Sequence, residues 1–483
     1  MTGIVSYGGY VPWFRLNRKT ILKAMGWFNP AGLPGEKAVA NYDEDAITMA
    51  VAASMDCLNG FDRQNIDALY FATTTAPYKE RQNANLIAGA LDLREDIRTA
   101  DFTDSVKSGT SALLAACEAV KAKGARQAVV CAGDNRLGKM GSQQEQFFGD
   151  GAAAFLIGDE NVIATIEGSY SLAYDFVDHR RAQKDMFDRS WEDRWIRDEG
   201  YLKFIPQAIT GLLKKYNLNI QDFAKAVYTC PYNREHPAIG KQLGLTPDKI
   251  QGNLMNEIGD TGSAYALMML VSALEEAKPG DKILVVSYGN GCDAFYLQVT
   301  DEITKLKGRK GIKGHLANKK ELTSYEKYAV FRNMVPLDIG IRGEEIPFTQ
   351  ISTLYRERKT MLGLVGSKCK KCGTPQFPYQ RVCVNPECGA VDQMEDYRFS
   401  DKKAYLFTYT GDNLAASPNP PAVYGIVDFE GGGRWKFDLT DCELESVKVG
   451  MPLQMSFRRK FIDEARGNFN YFWKAVPLRE EEG

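Results

Sequence analysis

Four cysteines in the last third of the chain constrain its fold more than any other feature. They are Cys369, Cys372, Cys383 and Cys388, and each short pair is followed by a glycine. Two short cysteine pairs separated by a loop can close a tetrahedron of thiolates around one Zn²⁺. Four thiolates leave no open coordination position, so the spacing predicts a structural zinc site and marks a small appended module.

The totals exclude several classes of protein. The chain has 483 residues, too many for one core, and 60 Lys plus Arg against 62 Asp plus Glu. This balance gives no argument for a nucleic-acid or anionic membrane partner. We expect no signal peptide and no membrane span, because no basic-then-apolar leader and no long apolar run occurs. The six other cysteines are scattered, which favours a reducing, cytoplasmic location.

The first three hundred residues contain two segments of similar pattern, which indicates an internal repeat. Residues 109–135 and 262–290 both read as a glycine, an apolar helix, a Lys/Gly turn, a short β-rich run and a glycine turn. The pattern predicts helices over 111–122 and 264–277, and strands over 128–131 and 283–287. Both helices are apolar nearly all round, which indicates burial between two sheets.

Three other segments carry weaker signals. The run Gly149-Asp150-Gly151 lacks the Gly-Lys-Ser/Thr of a phosphate loop and leads into an apolar strand. Residues 167–205 are rich in Asp, Arg, Trp and Tyr and predict a cap or entrance. Residues 305–320 are basic; a solvated linker or helix face and a contact with ligand phosphates both stay open.

After the cysteines, β-type runs alternate with turn residues. They are 404–409, 422–428, 434–439, 453–457 and 471–475. Five short strands in about eighty residues are typical of a small closed or partly open barrel such as an OB-fold.

At this point the segments become recognisable. Residues 1–335 resemble the archaeal-type 3-hydroxy-3-methylglutaryl-CoA (HMG-CoA) synthases of the thiolase superfamily, through SVKSGTSALLAACEAV, FFGDGAAAFLIGD, HPAIGKQLGLTPDKI, AKPGDKILVVSYGNGCDAF and LTSYEKYAVFRN. Residues 355–478 resemble the zinc-ribbon and OB-fold proteins that accompany thiolases, through KCKKCGTPQFPYQRVCVNPECG, LFTYTGDN and VKVGMPLQMSF.

The resemblance implies an α/β chain with a duplicated thiolase-type αβαβα fold, followed by a rubredoxin-like zinc ribbon and a small OB-type barrel. The expected domains are 1–165 and 166–345 for the two thiolase-like halves, the second with a basic linker, 355–395 for the ribbon and 396–483 for the OB-fold. It also implies a homodimeric core and a CoA thioester as ligand.

The chemistry is where the sequence departs from this family. The family's nucleophilic cysteine matches Val106, its histidine matches Thr229, the asparagine of its Gly-Asn-Thr turn matches Asp260, and its acidic residue matches Thr74. An isopropyl side chain cannot form an acyl-enzyme.

A serine near the helix start, Ser105 or Ser108, would need a base, and the chain has three histidines: His179, His236 and His315. For His236 we expect a surface or capping role.

Other features of the family site are retained in the sequence. The Ser287–Gly291 turn matches the loop whose backbone N–H groups face the acyl oxygen, so Gly289 and Gly291, with Lys107 and Ser108, are candidate ligand-binding residues. Lys107 contacts a carboxylate or lies in a solvent-facing loop.

Asp260, Tyr232 and Thr229 are candidate catalytic residues, and Tyr78 and Tyr288 are further proton donors. Cys230 is interpreted as a packed thiol.

Two functions follow from this combination. The first is an acyl-CoA-binding subunit that lacks the usual catalytic set and acts with a thiolase-type catalytic subunit in C–C bond formation or thiolysis. The second is a stand-alone, non-covalent aldolase or lyase acting on a β-hydroxyacyl-CoA. We expect no nucleic-acid role for the OB barrel.

Overall fold

The computed structural model describes residues 1–340 and 349–479, which form two compact units. The first unit comprises residues 1–40, 45–84 and 94–328, and the second comprises 41–44, 85–93 and the described residues from 329 onward. Residues 341–345 of the predicted second half and 480–483 of the predicted OB-fold lie outside the described residues. Among the described residues, no helix combines the length and apolarity needed to cross a bilayer.

A nine-stranded sheet organises the first unit. Its order is β11-β12-β13-β8-β1-β7-β6-β4-β5, with parallel pairing at β11–β12, β6–β4 and β4–β5 and antiparallel pairing elsewhere. The strands of this unit are β1 Gly3–Tyr10, β2 Phe14–Asn17, β3 Glu36–Val39, β4 Ile66–Ala72, β5 Arg98–Phe102, β6 Gln127–Asp134, β7 Gly151–Gly158, β8 Ala164–Ala173, β9 His179–Arg180, β10 Arg189–Ser190, β11 Lys225–Tyr228, β12 Lys282–Tyr288, β13 Gly291–Val299 and β14 Lys320–Glu321.

Among the described residues, helices occur in both units, and the last two in chain order belong to the second. They are α1 Arg18–Met25, α2 Ala46–Cys57, α3 Asn83–Ala90, α4 Ser108–Lys121, α5 Gln143–Phe147, α6 Asp193–Trp195, α7 Leu202–Tyr216, α8 Glu235–Gln242, α9 Tyr265–Leu274, α10 Gly311–Ala317, α11 Tyr325–Phe331, α12 Ile351–Arg356 and α13 Arg358–Gly363. The GDG run leads into the wholly buried strand β7, as its sequence predicts.

Helices α4 and α9 are the two core helices that the internal repeat predicts, but the strands of the two halves form one nine-stranded sheet rather than two, because β1 and β8 pair. Nine of the ten residues of α9 are buried, and α4 buries the side of the helix that carries Ala112, Leu113 and Ala116. The start of α4 approaches the turn before α9 so closely that a Cβ on Gly109 would lie 2.2 Å from the Ser263 carbonyl oxygen. Only glycine permits this approach. The N-terminal ends of the two helices are therefore neighbours.

Residues 167–205, which we call the cap, extend from β8 to the start of α7. The cap contains the two-stranded sheet of β9 and β10, then α6, and a π-helical stretch, Ile196–Tyr201, that runs into α7. Its rings pack tightly: Phe176 stacks on Trp195 at 4.1 Å between ring centroids, and Tyr201 stacks on Tyr288 at 4.0 Å. The cap is thus a packed part of the first unit.

The basic segment 305–320 is folded rather than a free linker. It contains α10, and the backbone N–H groups of Lys310, just before the helix, and Gly311, its first residue, donate to the half-buried Asp56 carboxylate. Arg309 donates to the Ser6 hydroxyl at 3.0 Å. The charged side chains lie outward while Ile312 is buried, so the segment is a helix face that packs on the first unit.

Two small sheets form the second unit. The ribbon sheet has the order β16-β15-β17, and the five-stranded sheet has the order β20-β19-β18-β21-β22. Their strands are β15 Val365–Cys369, β16 Pro375–Gln376, β17 Met394–Arg398, β18 Ala404–Asp412, β19 Ala422–Phe429, β20 Arg434–Asp438, β21 Pro452–Asp463 and β22 Asn468–Pro477. A bridge between Leu439 and Ala475 joins the end of β20 to β22, which closes the barrel.

A cluster of buried charges stabilises this barrel. Arg458 donates to Asp43 at 3.2 Å and to Asp441 at 2.5 Å, and its guanidinium lies 2.8 Å from Glu44. Lys474 donates to the other oxygen of Asp43 at 2.9 Å. Since unpaired buried charges are costly, each member of the cluster depends on the others.

Candidate active site and metal centre

Val106 lies at the start of α4, where the sequence predicts the lost nucleophile. The helix begins at Ser108, and Lys107 is its capping residue. Gly289 packs directly against this position: a Cβ there would lie 2.9 Å from Val106 Cγ2 and 2.8 Å from the Lys107 backbone nitrogen. The 287–291 turn and the start of α4 are therefore in contact, as the family resemblance implies.

Thr74 is held by a buried carboxylate. Asp134, at the end of β6, accepts hydrogen bonds from the backbone and hydroxyl of Thr74 at 2.7 and 3.0 Å, and from Thr73, Thr75 and the Ser263 backbone. The Thr74 hydroxyl is thus already a donor within the protein. This arrangement fixes the turn that follows β4 against the start of α9.

Asp260 is engaged through both of its carboxylate oxygens. Oδ1 accepts from the Gly262 backbone at 2.9 Å, and Oδ2 lies 2.7 Å from Arg136 Nη2. Arg136 is buried, and although burial opposes its charge, the Asp260 carboxylate raises the pKa of its guanidinium. Arg136 also lies over the ring of Phe148, at 4.0 Å from the ring centroid.

Thr229 and Tyr232 also have partners inside the protein. The Thr229 hydroxyl accepts from the Tyr288 backbone N–H at 2.9 Å, which fixes the start of the 287–291 turn. The Tyr232 hydroxyl donates to Asp193 of the cap at 2.7 Å. Burial, and then this hydrogen bond, raise the pKa of Tyr232, so its hydroxyl stays neutral.

The predicted ligand-binding residues lie around the start of α4. The Gly289 backbone N–H donates to the Gly291 carbonyl at 2.9 Å, and Gly291 begins β13. Lys107 does not lie free in solvent, because its ammonium pairs with the buried Asp293 at 3.1 Å. The Ser108 hydroxyl is buried and, among the residues described, has no hydrogen-bond partner.

The structure contains an acid–base pair at positions that match none of the family's catalytic motifs. In the cap, Asp178 Oδ1 lies 3.1 Å from His179 Nδ1 and also accepts from the His179 backbone at 2.7 Å. Asp178 is 1% exposed, and the His179 side chain is 25% exposed. Burial opposes the imidazolium, but the hydrogen bond and charge of Asp178 prevail and raise the pKa of His179.

Tyr288 belongs to the same group of side chains. It is 2% exposed, and within the described ranges neither its hydroxyl nor Asp178 Oδ2 has a hydrogen-bond partner of ordinary geometry. Burial raises the pKa of Tyr288, and the nearby Asp178 carboxylate raises it further. Tyr288 therefore stays a neutral hydroxyl, and it lies beside the Asp178 carboxylate.

Hydrogen bonds connect the cap segment around His179 to the 287–291 turn and to the turn at Thr74. Asn290, next to Gly289, donates to the Phe176 carbonyl at 3.3 Å and accepts from the Tyr174 backbone at 3.1 Å. Arg181 donates to the Thr74 carbonyl. The segment with His179 thus connects the 287–291 turn to the Thr74 turn.

The remaining histidines and Cys230 are packed. His236 is buried rather than on the surface, stacks on Tyr228 at 4.5 Å, and its burial lowers its pKa to about 4. His315 is buried against Tyr10. Burial raises the pKa of the Cys230 thiol, which opposes a nucleophilic role.

The four ribbon cysteines are grouped for one metal ion. Their sulfur atoms all lie within 4.8 Å of one another; Cys369 and Cys388 are 3.8 Å apart, and Cys372 and Cys383 are 3.5 Å apart. A tetrahedron with Zn–S bonds of about 2.3 Å requires sulfur separations of about 3.8 Å. The geometry fits zinc, and four thiolates complete its coordination.

Three family models match the chain. The C-terminal model of 3-oxoacyl-[acyl-carrier-protein] synthase III matches residues 213–297. The rubredoxin-like zinc ribbon domain of ChsH2 matches residues 363–395, and the C-terminal OB-fold domain of ChsH2 matches 397–458. The second unit therefore contains a zinc ribbon and an OB-fold, as the cysteine spacing and the β-type runs predict.

Solved structures share the fold of the first unit. A crystal structure of HMG-CoA synthase complexed with CoA matches 72% of this chain and 94% of its own, with a TM-score of 0.63 and 19% identity. The 3-oxoacyl-[acyl-carrier-protein] synthase III of Aquifex aeolicus matches 62% of this chain and all of its own, with a TM-score of 0.56 and 20% identity. The predicted thiolase-type fold is confirmed.

Curated relatives match at higher identity. The hydroxymethylglutaryl-CoA synthase of Caldivirga maquilingensis is 32% identical over 348 residues, 70% of this chain and 99% of that protein. That of Thermococcus sibiricus is 35% identical over 338 residues, 68% of this chain and 95% of that protein. Through its first unit, the chain belongs to the hydroxymethylglutaryl-CoA synthase family.

Proposed function

We propose that this chain binds a CoA thioester in its first unit and makes or breaks a C–C bond there without forming an acyl-enzyme. The substrate class is a β-hydroxyacyl-CoA, or the carbonyl compound and acyl-CoA into which an aldol cleavage would divide it. One observation carries the proposal. Val106 lies at the start of α4, in contact with the 287–291 turn, while the acid–base pair of Asp178 and His179 lies in the cap beside that turn.

The loss of the covalent chemistry rests on four substitutions. Val106, Thr229, Asp260 and Thr74 occupy, in our motif alignment, the family positions for cysteine, histidine, asparagine and acid. Thr229 and Thr74 have hydrogen-bond partners that need no substrate, and Asp260 is ion-paired. Aldol chemistry on a thioester requires an acid–base group and a site that stabilises the enolate, and no thiolate.

The experiment combines intact-mass and product measurements on the full chain. We expect no added acyl mass after incubation with acetyl-CoA or 3-hydroxy-3-methylglutaryl-CoA, together with a new thioester or free carbonyl product from a panel of β-hydroxyacyl-CoA compounds. A covalent acyl adduct formed at the rate of turnover would contradict the proposal.

A second candidate function is favoured by the second unit. Its ribbon and OB-fold match domains of ChsH2, and such modules, by the resemblance stated above, accompany thiolases. In this version the chain holds the acyl-CoA for a thiolase-type catalytic subunit that performs the acyl transfer. Purification from the native host distinguishes the two: co-purification of such a subunit supports this candidate, and recovery of an active lone homodimer rejects it.

A further inference from the structure

We propose that Asp178, His179 and Tyr288 form the acid–base centre of this site, with His179 as the general base and Tyr288 as the donor to the thioester oxygen. This inference rests on the proposed function and assigns its catalytic residues. None of the three occupies a catalytic position in the motif alignment. They meet because the cap folds back over the 287–291 turn.

The geometry gives each residue its role. Because Asp178 accepts from Nδ1, the neutral His179 ring carries its lone pair on Nε2, which is the nitrogen left for a substrate. Asp178 is the positioning residue, since it fixes the ring and stabilises the imidazolium that forms. The Tyr288 hydroxyl is a buried, neutral donor that lies beside the same Asp178 carboxylate.

Two packing contacts direct the Tyr288 ring. It stacks on Tyr201, and its hydroxyl would lie 2.6 Å from a Cβ built on Gly200. The adjacent Gly289 contacts Val106 at the start of α4. The donor therefore lies within the 287–291 turn, which in the family resemblance faces the acyl oxygen.

Other charges act on His179 as well. Arg136 opposes the imidazolium, and the buried Asp188, which lies 3.7 Å from Arg181, favours it. Asp260 pairs with Arg136 at 2.7 Å. The pKa of His179 thus depends on two carboxylates and one paired guanidinium, a setting in which it can hold and release a proton.

The reaction balances without a further reagent. In cleavage, His179 Nε2 takes the proton of the β-hydroxyl, the β-carbonyl forms, and the Cα–Cβ bond breaks. The electron pair enters the thioester as an enolate, whose oxygen accepts a hydrogen bond from Tyr288. The imidazolium then gives its proton to the α-carbon. In the reverse direction, His179 removes an α-proton from the acyl-CoA, the enolate attacks the carbonyl, and the resulting alkoxide takes that proton back from the imidazolium.

The reverse half-reaction gives a test that needs no knowledge of the carbonyl partner. Acetyl-CoA is incubated with the full chain in D₂O, and deuterium in the acetyl methyl group is followed by mass spectrometry. We expect exchange above the buffer rate for the wild type, and a loss of about 10²-fold or more for His179→Ala. Added imidazole should restore exchange in that variant, which a purely structural role would not allow.

Matched variants separate chemistry from folding. His179→Gln keeps a polar side chain, Tyr288→Phe removes only the hydroxyl, and His236→Gln is the control at a buried histidine outside the centre. We expect slow exchange for the first two, wild-type exchange for the control, and similar CoA affinity in all of them. Melting temperatures identify any variant that fails to fold.

Each result decides the assignment. Exchange by His179→Ala and His179→Gln at the wild-type rate would overturn the role of His179 and leave the proposed function standing. Absence of exchange and of C–C cleavage in the wild type, with CoA still bound, would reject the proposed function and this centre with it.

Discussion

Asp178 and His179 are consecutive in the chain, and the carboxylate of the first accepts a hydrogen bond from the ring of the second at 3.1 Å. This contact raises the pKa of His179 against the opposing effect of burial. A base acts only when neutral, so the rate should fall as the pH drops through this raised pKa.

Asp178→Asn should move that acidic limb to lower pH. The substitution removes the negative charge that favours the imidazolium, so the pKa of His179 falls, while the plateau rate drops by up to about 10²-fold. The measurement is the pH dependence of α-proton exchange in wild type and variant. An unmoved limb would show that another group titrates.

Gly200→Ala should disturb Tyr288. The new Cβ would lie 2.6 Å from the Tyr288 hydroxyl and 3.0 Å from Phe176 Cε1, so the ring must move. We expect slower exchange and a loss of about 1–3 kcal/mol in the free energy of unfolding. Gly252→Ala is the control, since nothing lies within 4 Å of its Cβ position; equal effects in both would refute the packing argument.

Val106→Cys should restore a thiol at the start of α4 without restoring the family enzyme. The helix N-terminus favours a thiolate, but Thr229 supplies no base. We expect an acetyl adduct in the variant, seen by intact mass after acetyl-CoA, with slow or no turnover. Val106→Ser is the control and should show no adduct. A wild-type adduct would point to another nucleophile.

Cys383→Ser should remove the metal and unfold the ribbon. Three remaining thiolates hold zinc less well, and a structural zinc site contributes its binding free energy to folding. The measurements are zinc content by elemental analysis and the melting transition. Cys442→Ser is the control, because that thiol lies outside the cysteine group. Zinc content equal to wild type in Cys383→Ser would contradict the four-cysteine site.

Arg458→Met should destabilise the second unit strongly. The change leaves Asp43, Glu44 and Asp441 without their shared cation, and breaking a buried pair in this way costs about 3–5 kcal/mol. The exposed pair of Arg434 and Asp428 gives the control: Arg434→Met should cost about 0–1 kcal/mol in denaturant unfolding. Similar losses would show that the buried cluster contributes little.

Local patterns predicted most of the fold. The cysteine pairs, the five β-type runs and the two apolar helices are short-range signals, and each corresponds to an observed element. The predicted strand 453–457 is only the start of β21, which runs to Asp463, because polar residues continue the strand through pairing with β22.

The candidate site is built by contacts between residues far apart in the chain, so sequence patterns predicted less of the site than of the fold. Lys107 pairs with Asp293, 186 residues away, and Thr74 with Asp134, 60 residues away, so neither partner was visible as a motif. His179 follows an aspartate in a segment rich in charges and rings, and that was its only signal. Its role emerges only when the cap folds back on the 287–291 turn.

The buried charges of the barrel have a consequence for how this protein can be divided. Asp43 and Glu44 come from the opening tenth of the chain, yet they neutralise Arg458 near its end. A fragment cut to carry only the ribbon and the barrel would keep the cations and lose two of their counterions. Evolution or engineering could not transplant this module as a simple tail, because Asp43, part of its interior, is encoded 415 residues upstream of Arg458.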